Sequence, residues 1–321
     1  MSASSLHFYR GKNVLIAGAN GFIGPHLAQA LARHGARVFL GMRAKRAACH
    51  PAPAMGEVVH CDVEDQSQLA QCFAQAKPEV VFNLAAAPRE NSLPGSAQQW
   101  AVTATGAINL AYQCVRSQTA LFMQMGSSEE YGNGEIPFLE TQADKPISPY
   151  SVAKVSATRS LLISHDLFGL PVIIVRPTVV YGPGQTGEML LPHMIRHYCA
   201  GERPALTPCA QQRDFVYIDD LISALLALGG RPELAGNIFN ISQGESIELK
   251  KVAAMTANLC HYAGDLGIGE RQYRLNEVMN HCADHGKISA MIGWQPTVDL
   301  EVGVTRMIDW WRQRDERSTC P

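Results

Sequence analysis

The amino-acid sequence predicts an α/β protein built on a doubly wound parallel sheet, and three observations support this prediction. A short apolar run, Val14–Ala17, leads directly into the glycine pattern Gly18-Ala-Asn-Gly21-Phe-Ile-Gly24. Apolar runs of strand length then alternate with segments of helical periodicity as far as Arg176, which is the pattern of repeated βαβ units. Beyond Arg176 the alternation weakens, so we expect a smaller C-terminal α/β unit.

These observations predict two domains. A dinucleotide-binding domain is expected to comprise residues 1–176 together with about 214–242. A substrate-binding domain is expected to comprise residues 177–213 and 243–321. The length of 321 residues is ample for a buried core in such an arrangement.

The composition excludes several classes of protein. Hydrophobic residues make up 46% and charged residues 17% of the chain, and the formal net charge is −2. These values are typical of a globular enzyme and offer no basic surface for nucleic acid. No apolar run approaches the roughly 20 residues that span a bilayer, and residues 1–10 lack a signal-peptide pattern. We therefore expect a cytoplasmic protein without nucleic-acid or membrane partners.

The cysteines predict neither a disulfide framework nor a metal site. There are nine, an odd number, and none forms a Cys-x-x-Cys pair. His281, Cys282 and His285 lie close together in the sequence, but no second cluster follows at ligand spacing. We expect no metal.

The predicted strands are apolar runs bounded by glycine, proline or polar residues. They are 12–17, 38–41, 58–63, 80–86, 121–125, 172–175 and 237–241. The predicted helices carry apolar residues at spacings of three and four. They are 25–34, 68–76, 96–116, 150–167, 189–200 and 218–228. The segments 247–259 and 294–312 complete the chain.

The glycine pattern predicts a dinucleotide site. Gly18 and Gly21 let the backbone turn tightly and approach a pyrophosphate, and Gly24 permits close packing of helix on strand. The helix that begins here supplies free N–H groups and a dipole that favours phosphate. Three other residues of this turn are expected to contact the cofactor, namely Asn20, Phe22 and Ile23.

The residues after the second strand indicate which cofactor binds. An acidic residue about 20 positions beyond the glycines binds the ribose 2′-hydroxyl of NAD, whereas arginine favours a 2′-phosphate. Here Arg43 occupies that place, Arg46 follows, and no carboxylate precedes Glu57. The sequence therefore favours NADP(H), with NAD(H) as the alternative. Asp62 and Val63, after the third strand, are expected at the adenine.

The fourth strand runs into small residues. Leu84, Ala85 and Ala86 follow its apolar run, and small side chains after a parallel strand let the backbone approach a cofactor closely. We assign all three residues to the cofactor site.

A serine, a tyrosine and a lysine predict the chemistry. Tyr150 and Lys154 lie four residues apart at the start of a helix, so both side chains face the same side. The positive charge of the lysine favours the tyrosinate, and its ammonium group can also hydrogen-bond the nicotinamide ribose. The tyrosine can then act as general acid or base. Ser127 ends the preceding strand, where ligands gather in doubly wound sheets, and its hydroxyl can share the substrate oxygen.

Together these motifs resemble the extended short-chain dehydrogenase/reductase family of NAD(P)-dependent nucleotide-sugar epimerases, dehydratases and reductases, over nearly the whole chain. The resemblance implies a Rossmann fold, a nucleotide-sugar substrate and a catalytic triad of Ser127, Tyr150 and Lys154. It also implies that Arg213 and Arg274 grip the substrate phosphates. Two further site residues follow by the same resemblance, Ser128 at the substrate and Pro177 at the cofactor.

The resemblance leaves the reaction open. The strings Gly-Ser-Ser-Glu-Glu-Tyr-Gly at 126–132 and Ser-Pro-Tyr-Ser-Val-Ala-Lys at 148–154 are most similar to GDP-4-keto-6-deoxymannose reductases, which implies a 4-ketoreductase. Glu129 stands where family dehydratases place a base, so a 4,6-dehydratase is an alternative, as is a 4-epimerase. The alternative of another class is a non-catalytic cofactor-binding protein.

The chain departs from the family pattern at two positions. Thr103 and Val179 stand where many members have asparagine, and the second of these asparagines contacts the substrate in members that act on nucleotide sugars. The resemblance also implies a homodimer, formed through the two long helices 96–116 and 150–167.

Overall fold

A computed structural model describes residues 7–43, 56–90, 92–187 and 189–318, with side chains as far as residue 314. Its strands are β1 (Asn13–Ala17), β2 (Arg37–Met42), β3 (Glu57–His60), β4 (Val80–Asn83), β5 (Leu121–Met125), β6 (Val172–Pro177), β7 (Val179–Tyr181), β8 (Gln212–Arg213), β9 (Phe215–Tyr217), β10 (Ile238–Ile241), β11 (Ile247–Glu248) and β12 (Asn280–His281). Arg46, named above beside the cofactor, lies outside the described residues.

The helices cover both faces of the sheet and the C-terminal part. They are α1 (Ile23–Arg33), α2 (Gln66–Ala76), α3 (Leu93–Gln99), α4 (Gly106–Arg116), α5 (Pro149–Phe168), α6 (Leu190–Cys199), α7 (Ile218–Gly229), α8 (Leu249–Leu259), α9 (Gly286–Ile292) and α10 (Leu300–Ser318). A π-helical turn (Trp100–Thr105) joins α3 to α4, and short 3₁₀ turns occupy Ser128–Tyr131 and Pro232–Leu234.

Seven strands form one parallel sheet in the order β10-β6-β5-β4-β1-β2-β3. The order runs outward from β1 in both directions, so the loops after β1 and β4 diverge at the switch point where such sheets bind ligands. The register places Ala17 beside Gly41 and Asn83. The predicted doubly wound Rossmann sheet is confirmed.

Two smaller sheets build the C-terminal part. One has the order β11-β8-β12 and the other pairs β7 with β9. In the first, Arg213 lies opposite Ile247 on one side and His281 on the other. This register brings two residues 68 positions apart in sequence onto adjacent strands.

Alternate side chains of the sheet enter two cores. Val14 and Ile16 point into one core, whereas Leu15 and Ala17 point into the other. The first core continues without a break into the C-terminal helices, where it includes residues such as Trp294. Because this core is shared, the division into a dinucleotide domain and a substrate domain stays a prediction.

Most predicted elements agree with the structure to within two residues at each end, and three differ by three residues at one end. The strand expected at 58–63 ends at His60, because the chain turns where the Asp65 N–H donates to the Asp62 carbonyl at 3.1 Å. The strand expected at 80–86 ends at Asn83, whose side-chain oxygen accepts from the Ala85 N–H at 3.1 Å. The helix expected at 96–116 begins earlier and contains the π-helical turn.

No helix among the described ranges is long and apolar enough to cross a membrane. The cytoplasmic location stays a prediction.

Candidate active site

The N-terminus of α5 positions the tyrosine and the lysine. Ser148 caps this helix through the Ser151 N–H, and Pro149 occupies its first turn. Lys154 is almost fully buried, and its Nζ donates to the Met125 carbonyl at 2.6 Å. The same Nζ lies 5.8 Å from the ring centroid of the half-buried Tyr150. The pair therefore shares one helix face, and the lysine ties α5 to the end of β5.

The residues after β5 hold Ser127 in place through a buried ion pair. The Ser127 N–H donates to Glu130 Oε1 at 2.9 Å, and Arg176 Nη2 lies 2.6 Å from Glu130 Oε2. The Arg176 and Glu130 side chains are both fully buried, and Asp144 is the second partner of Arg176 at 2.7 Å. The Ser127 Oγ accepts from the Glu129 N–H at 3.1 Å. A charged network thus orients the predicted hydroxyl.

Sequence reasoning missed this network. Burial acts to lower the pKa of Arg176, but Glu130, Tyr131 and Asp144 together raise it above the ordinary value, so the guanidinium stays charged. The available signal was two adjacent acidic residues, Glu129 and Glu130, at the end of an apolar strand. The Glu129 side chain is 31% exposed and the Glu130 side chain is fully buried, a distinction that only the tertiary structure makes.

A second residue that sequence reasoning missed is Arg89, on the loop after β4. Its Nη2 lies 2.5 Å from Glu129 Oε1, and its guanidinium carbon lies 4.5 Å from the ring centroid of Tyr150. The side chains of Arg89 and Glu129 remain 43% and 31% exposed. The predicted Glu129 is therefore linked to the tyrosine through an arginine.

Ser128 and His281 are buried against one another. The Ser128 Oγ donates to the Pro177 carbonyl at 2.9 Å and lies 3.1 Å from His281 Nε2. Because the Ser128 hydroxyl donates its proton to the Pro177 carbonyl, its Oγ can only accept from the histidine. His281 must therefore carry its proton on Nε2. Burial, followed by the nearby Arg213 and Arg89 charges, lowers the pKa of His281 to about 3. The imidazole is therefore neutral.

The two arginines expected at the substrate lie close to one another. Arg213 Nη2 bonds Glu277 Oε1, and its Nη1 donates to the Gln212 carbonyl at 2.7 Å. Burial lowers the pKa of Arg213. The charges of Arg274 and Arg89 also lower it, whereas the Glu277 carboxylate raises it. Arg274 is exposed. The structure thus brings three arginines from separate loops and strands to one cleft.

The glycine turn after β1 makes close backbone contacts at two of its three glycines. Gly18 has φ +78°, and a Cβ there would lie 2.8 Å from the Ala85 nitrogen. A Cβ on Gly24 would lie 2.2 Å from the Ala19 carbonyl oxygen. At Gly21, by contrast, the nearest atom would be 3.4 Å away and the residue is exposed. Gly18 and Gly24 therefore pack the turn, and Gly21 faces the open side.

The residues present fit a dinucleotide phosphate at this turn. The N-terminus of α1 has no side-chain cap at Phe22 and no acidic residue in its first turn, so its N–H groups are available to an anion. Asn20 is half-buried within the turn, and Ile23 is the first helical residue. The Leu84 N–H donates to the Ala17 carbonyl at 2.9 Å, so the small residues after β4 lie against the glycine turn. Of these, Ala86 is exposed.

The adenosine end of this groove contains the predicted arginine. Arg43 follows β2, and its Nη1 lies 3.4 Å from Glu64 Oε2, with the arginine side chain 42% exposed. The Asp62 side chain accepts from the Glu64 N–H at 3.1 Å, and Val63 is buried. Arg43 is therefore adjacent to the predicted residues after β3, and it already has one carboxylate partner.

Within the described ranges, no group of three histidine, cysteine or acidic side chains could hold a metal ion. His281 lies against Ser128, and the Cys282 thiol lies 3.8 Å from Asp214 Oδ2. Thr103, which departs from the family pattern, is buried in the π-helical turn, and its hydroxyl has no hydrogen-bond partner in the part of the chain that the structure describes.

A family model for NAD-dependent epimerases and dehydratases matches residues 14–242. The chain belongs to this family. The expected membership of the extended short-chain dehydrogenase/reductases is thereby confirmed, and the protein is an NAD(P)-dependent enzyme of that family. The match spans the glycine turn, the serine loop, the tyrosine–lysine pair and Arg213.

Relatives that align with nearly the whole chain are named for different activities. A dTDP-glucose 4,6-dehydratase of Haemophilus influenzae is 26% identical over 331 aligned residues, covering 93% of this chain and 97% of the relative. A UDP-glucose 4-epimerase of Mycolicibacterium smegmatis is 27% identical, covering 94% of this chain and 99% of the relative. The structure of MoeE5 in complex with UDP-glucuronic acid and NAD has a TM-score of 0.86 at 26% identity, covering 94% of this chain and 99% of that one.

Proposed function

We propose that the protein is an NADP(H)-dependent oxidoreductase of a nucleotide-activated sugar, most simply a 4-ketoreductase. One observation carries this proposal: Lys154 Nζ lies 5.8 Å from the ring centroid of Tyr150 and donates to the Met125 carbonyl, two residues before Ser127. The relatives named for dTDP-glucose and UDP-glucose, and the structure with UDP-glucuronic acid, support a nucleotide sugar as the substrate class.

The proposed chemistry assigns one role to each residue. The reduced nicotinamide supplies a hydride to the substrate carbonyl carbon when bound. Tyr150 donates its hydroxyl proton to the carbonyl oxygen, so that the ketone becomes a secondary alcohol. Ser127, oriented by Glu130, hydrogen-bonds the same oxygen. Lys154, held by the Met125 carbonyl, keeps a positive charge beside the tyrosine while the proton leaves.

Arg213 and Arg274 are proposed to bind the substrate diphosphate. Arginine presents several N–H donors in a planar fork, which suits phosphate oxygens. Arg213 has only 16% of its side chain exposed and Glu277 as its present partner, so it is pre-oriented. Arg274 is exposed and would close on the ligand. Ser128 is proposed to line the sugar side of the same site.

The preference for NADP(H) is proposed from Arg43. The ion pair with Glu64 at 3.4 Å is half exposed and weak, because exposed pairs contribute about 0–1 kcal/mol. A 2′-phosphate could therefore replace that carboxylate. We expect Arg43→Ala to raise KM for NADPH about tenfold while KM for NADH is unchanged. Equal effects on both cofactors would refute the proposed preference.

A 4,6-dehydratase is the second candidate, since Glu129 pairs with Arg89, whose guanidinium lies over the tyrosine ring. A dehydratase removes water from a sugar that already carries a 4-hydroxyl, and an epimerase inverts that hydroxyl. Both consume no net cofactor, whereas the reductase oxidises one NADPH per turnover. Product analysis after incubation with nucleotide hexoses separates these alternatives.

The direct test of the proposed function is incubation with a 4-keto-6-deoxy nucleotide sugar and NADPH. We expect the absorbance of the reduced nicotinamide to fall, and no loss with any such substrate would exclude the reductase. Tyr150→Phe should lower the rate on the order of 10²-fold or more. A non-catalytic cofactor-binding protein would keep its properties in that variant.

We also propose a homodimer through the outer faces of α4 and α5. These helices pack side by side, and their outer faces expose large apolar side chains, namely Ile108, Tyr112, Val115, Val152 and Ile163. Apolar residues at helical spacing on an outer face are suited to bury against a second copy. Light scattering should give twice the monomer mass, and Ile163→Glu should give the monomer.

A further inference from the structure

Among the described residues, Arg89 is the cation nearest to the ring of the proposed acid–base residue. Its guanidinium carbon lies 4.5 Å from the Tyr150 ring centroid, compared with 5.8 Å for Lys154 Nζ. Lys154 is also committed to the Met125 carbonyl, to which it donates at 2.6 Å. The tyrosine therefore has two cations within 6 Å of its ring centroid, and only the lysine was expected from the sequence.

Glu129 holds Arg89 in this position. The 2.5 Å contact between Arg89 Nη2 and Glu129 Oε1 fixes one edge of the guanidinium and leaves its other N–H donors for the cleft. Glu129 is itself anchored, because its N–H donates to the Ser127 Oγ at 3.1 Å. A chain of contacts thus links the serine, the glutamate, the arginine and the tyrosine.

The charged groups near this tyrosine come from several separate elements. Lys154 comes from α5, Arg89 from the loop after β4, and Glu129 from the turn after β5. Arg213 on β8 interacts electrostatically with Glu129 and Arg89. His281 on β12 is neutral and adds no charge. Burial opposes the charge of Arg89, but Glu129 and Tyr150 raise its pKa, so the guanidinium remains a cation.

We propose that Arg89 takes part in the proton-transfer step, by stabilising the negative charge that forms on the Tyr150 oxygen when its proton moves to the substrate. In this step the tyrosine O–H bond breaks, a new O–H bond forms on the substrate, and the guanidinium faces the resulting tyrosinate. Glu129 is the residue that positions Arg89. This inference rests on the proposed role of Tyr150 as general acid.

The first test requires no sugar and therefore does not depend on the proposed substrate. The near-ultraviolet absorbance of tyrosinate is followed during an alkaline titration of the wild type and of Arg89→Met, each compared with its Tyr150→Phe counterpart. The difference isolates Tyr150. We expect its tyrosinate to form at higher pH in Arg89→Met, because an opposite charge a few ångströms away has been removed.

The matched control is Arg274→Met, which removes an arginine from the same cleft but not from the tyrosine. Its titration should superimpose on that of the wild type. Arg89→Lys, which keeps the charge, should restore most of the wild-type titration. If Arg89→Met and the wild type superimpose, while Tm shows that both are folded, the inference is overturned.

The second test uses the active enzyme and separates binding from proton transfer. We expect Arg89→Met to lower kcat on the order of 10-fold near neutral pH, with KM little changed and with the pH profile of the rate displaced. A rise in KM with an unchanged pH profile would show instead that Arg89 binds the substrate, for example through an acidic group of the sugar, and would overturn the inference. Absence of activity on every nucleotide sugar would refute the proposed function and leave the spectroscopic test valid.

Discussion

The two halves of the cleft are built in different ways. On the cofactor side the backbone makes the site: Gly18 and Gly24 bring main chains into contact, and the uncapped N-terminus of α1 offers its N–H groups. On the substrate side charged side chains make it, through pairs such as Arg176–Glu130 and Arg213–Glu277. The cofactor half depends on glycines, which have no side chain, and on other small residues. The substrate half depends on charged partners that are far apart in sequence.

The largest expected effect lies on the substrate side, at the buried pair. Glu130→Leu leaves the buried Arg176 with Asp144 as its remaining carboxylate partner, and breaking a buried pair costs about 3–5 kcal/mol. We expect the free energy of unfolding in urea to fall by about 3 kcal/mol. The serine loop should also lose its orientation.

The adjacent residue provides the control for this prediction. Glu129→Leu removes a carboxylate that is 31% exposed and paired with a 43% exposed arginine, so its effect on the free energy of unfolding should stay below about 1 kcal/mol. A comparable loss of stability in both variants would contradict the distinction between the two glutamates.

The next effect lies on the cofactor side, where two glycines are expected to respond differently. A methyl group at Gly24 would lie 2.2 Å from a backbone oxygen, and overpacking of this kind costs about 1–3 kcal/mol. Gly24→Ala should therefore lower Tm in the absence of cofactor. At Gly21 a methyl group meets nothing closer than 3.4 Å, so Gly21→Ala should keep Tm.

Cofactor titration completes the comparison of the glycines. Because Gly21 faces the open side of the turn, its alanine variant should weaken cofactor binding, measured by fluorescence of the reduced nicotinamide, without a loss of stability. If Gly21→Ala bound cofactor like the wild type, the assignment of this turn to the pyrophosphate would be wrong.

The smallest effect concerns pH and the buried histidine. The pKa of His281 is lowered from 6.5 to about 3 by burial and the neighbouring arginines. As the pH falls below 6.5, the unfolded chain binds a proton at this histidine and the folded protein does not, so stability is lost. Between pH 7.5 and pH 5.5 this loss amounts to about 1.4 kcal/mol.

A second buried group acts in the opposite direction. Burial raises the pKa of Asp214 from 3.8 to about 6, so the folded protein takes up a proton there on acidification and gains stability. The comparison must therefore be made between the wild type and His281→Gln at both pH values. The variant should lose about 1.4 kcal/mol less than the wild type, and an equal loss would show that His281 is protonated in the folded protein.

Several features could be predicted from the sequence because they depend on local periodicity. The parallel sheet, the glycine turn and the placement of Tyr150 and Lys154 on one helix face are all of this kind. The ends of strands and helices were less accurate, because they depend on contacts such as that of the Asn83 side chain with the Ala85 N–H. The family was also recognisable, because its motifs are short and contiguous.

The sequence by itself determined the fold and the cofactor side of the cleft, since Gly18 and Gly24 lack the Cβ that would lie within 3 Å of a neighbouring backbone atom. Only the tertiary structure decided which of two adjacent glutamates is buried, and that Arg89 lies over the ring of Tyr150. Side-chain ion pairs join residues from different loops, and no local pattern records such a pairing. The physical reason is that a backbone constraint acts on one residue, whereas a charge acts on whichever partner the fold brings near it.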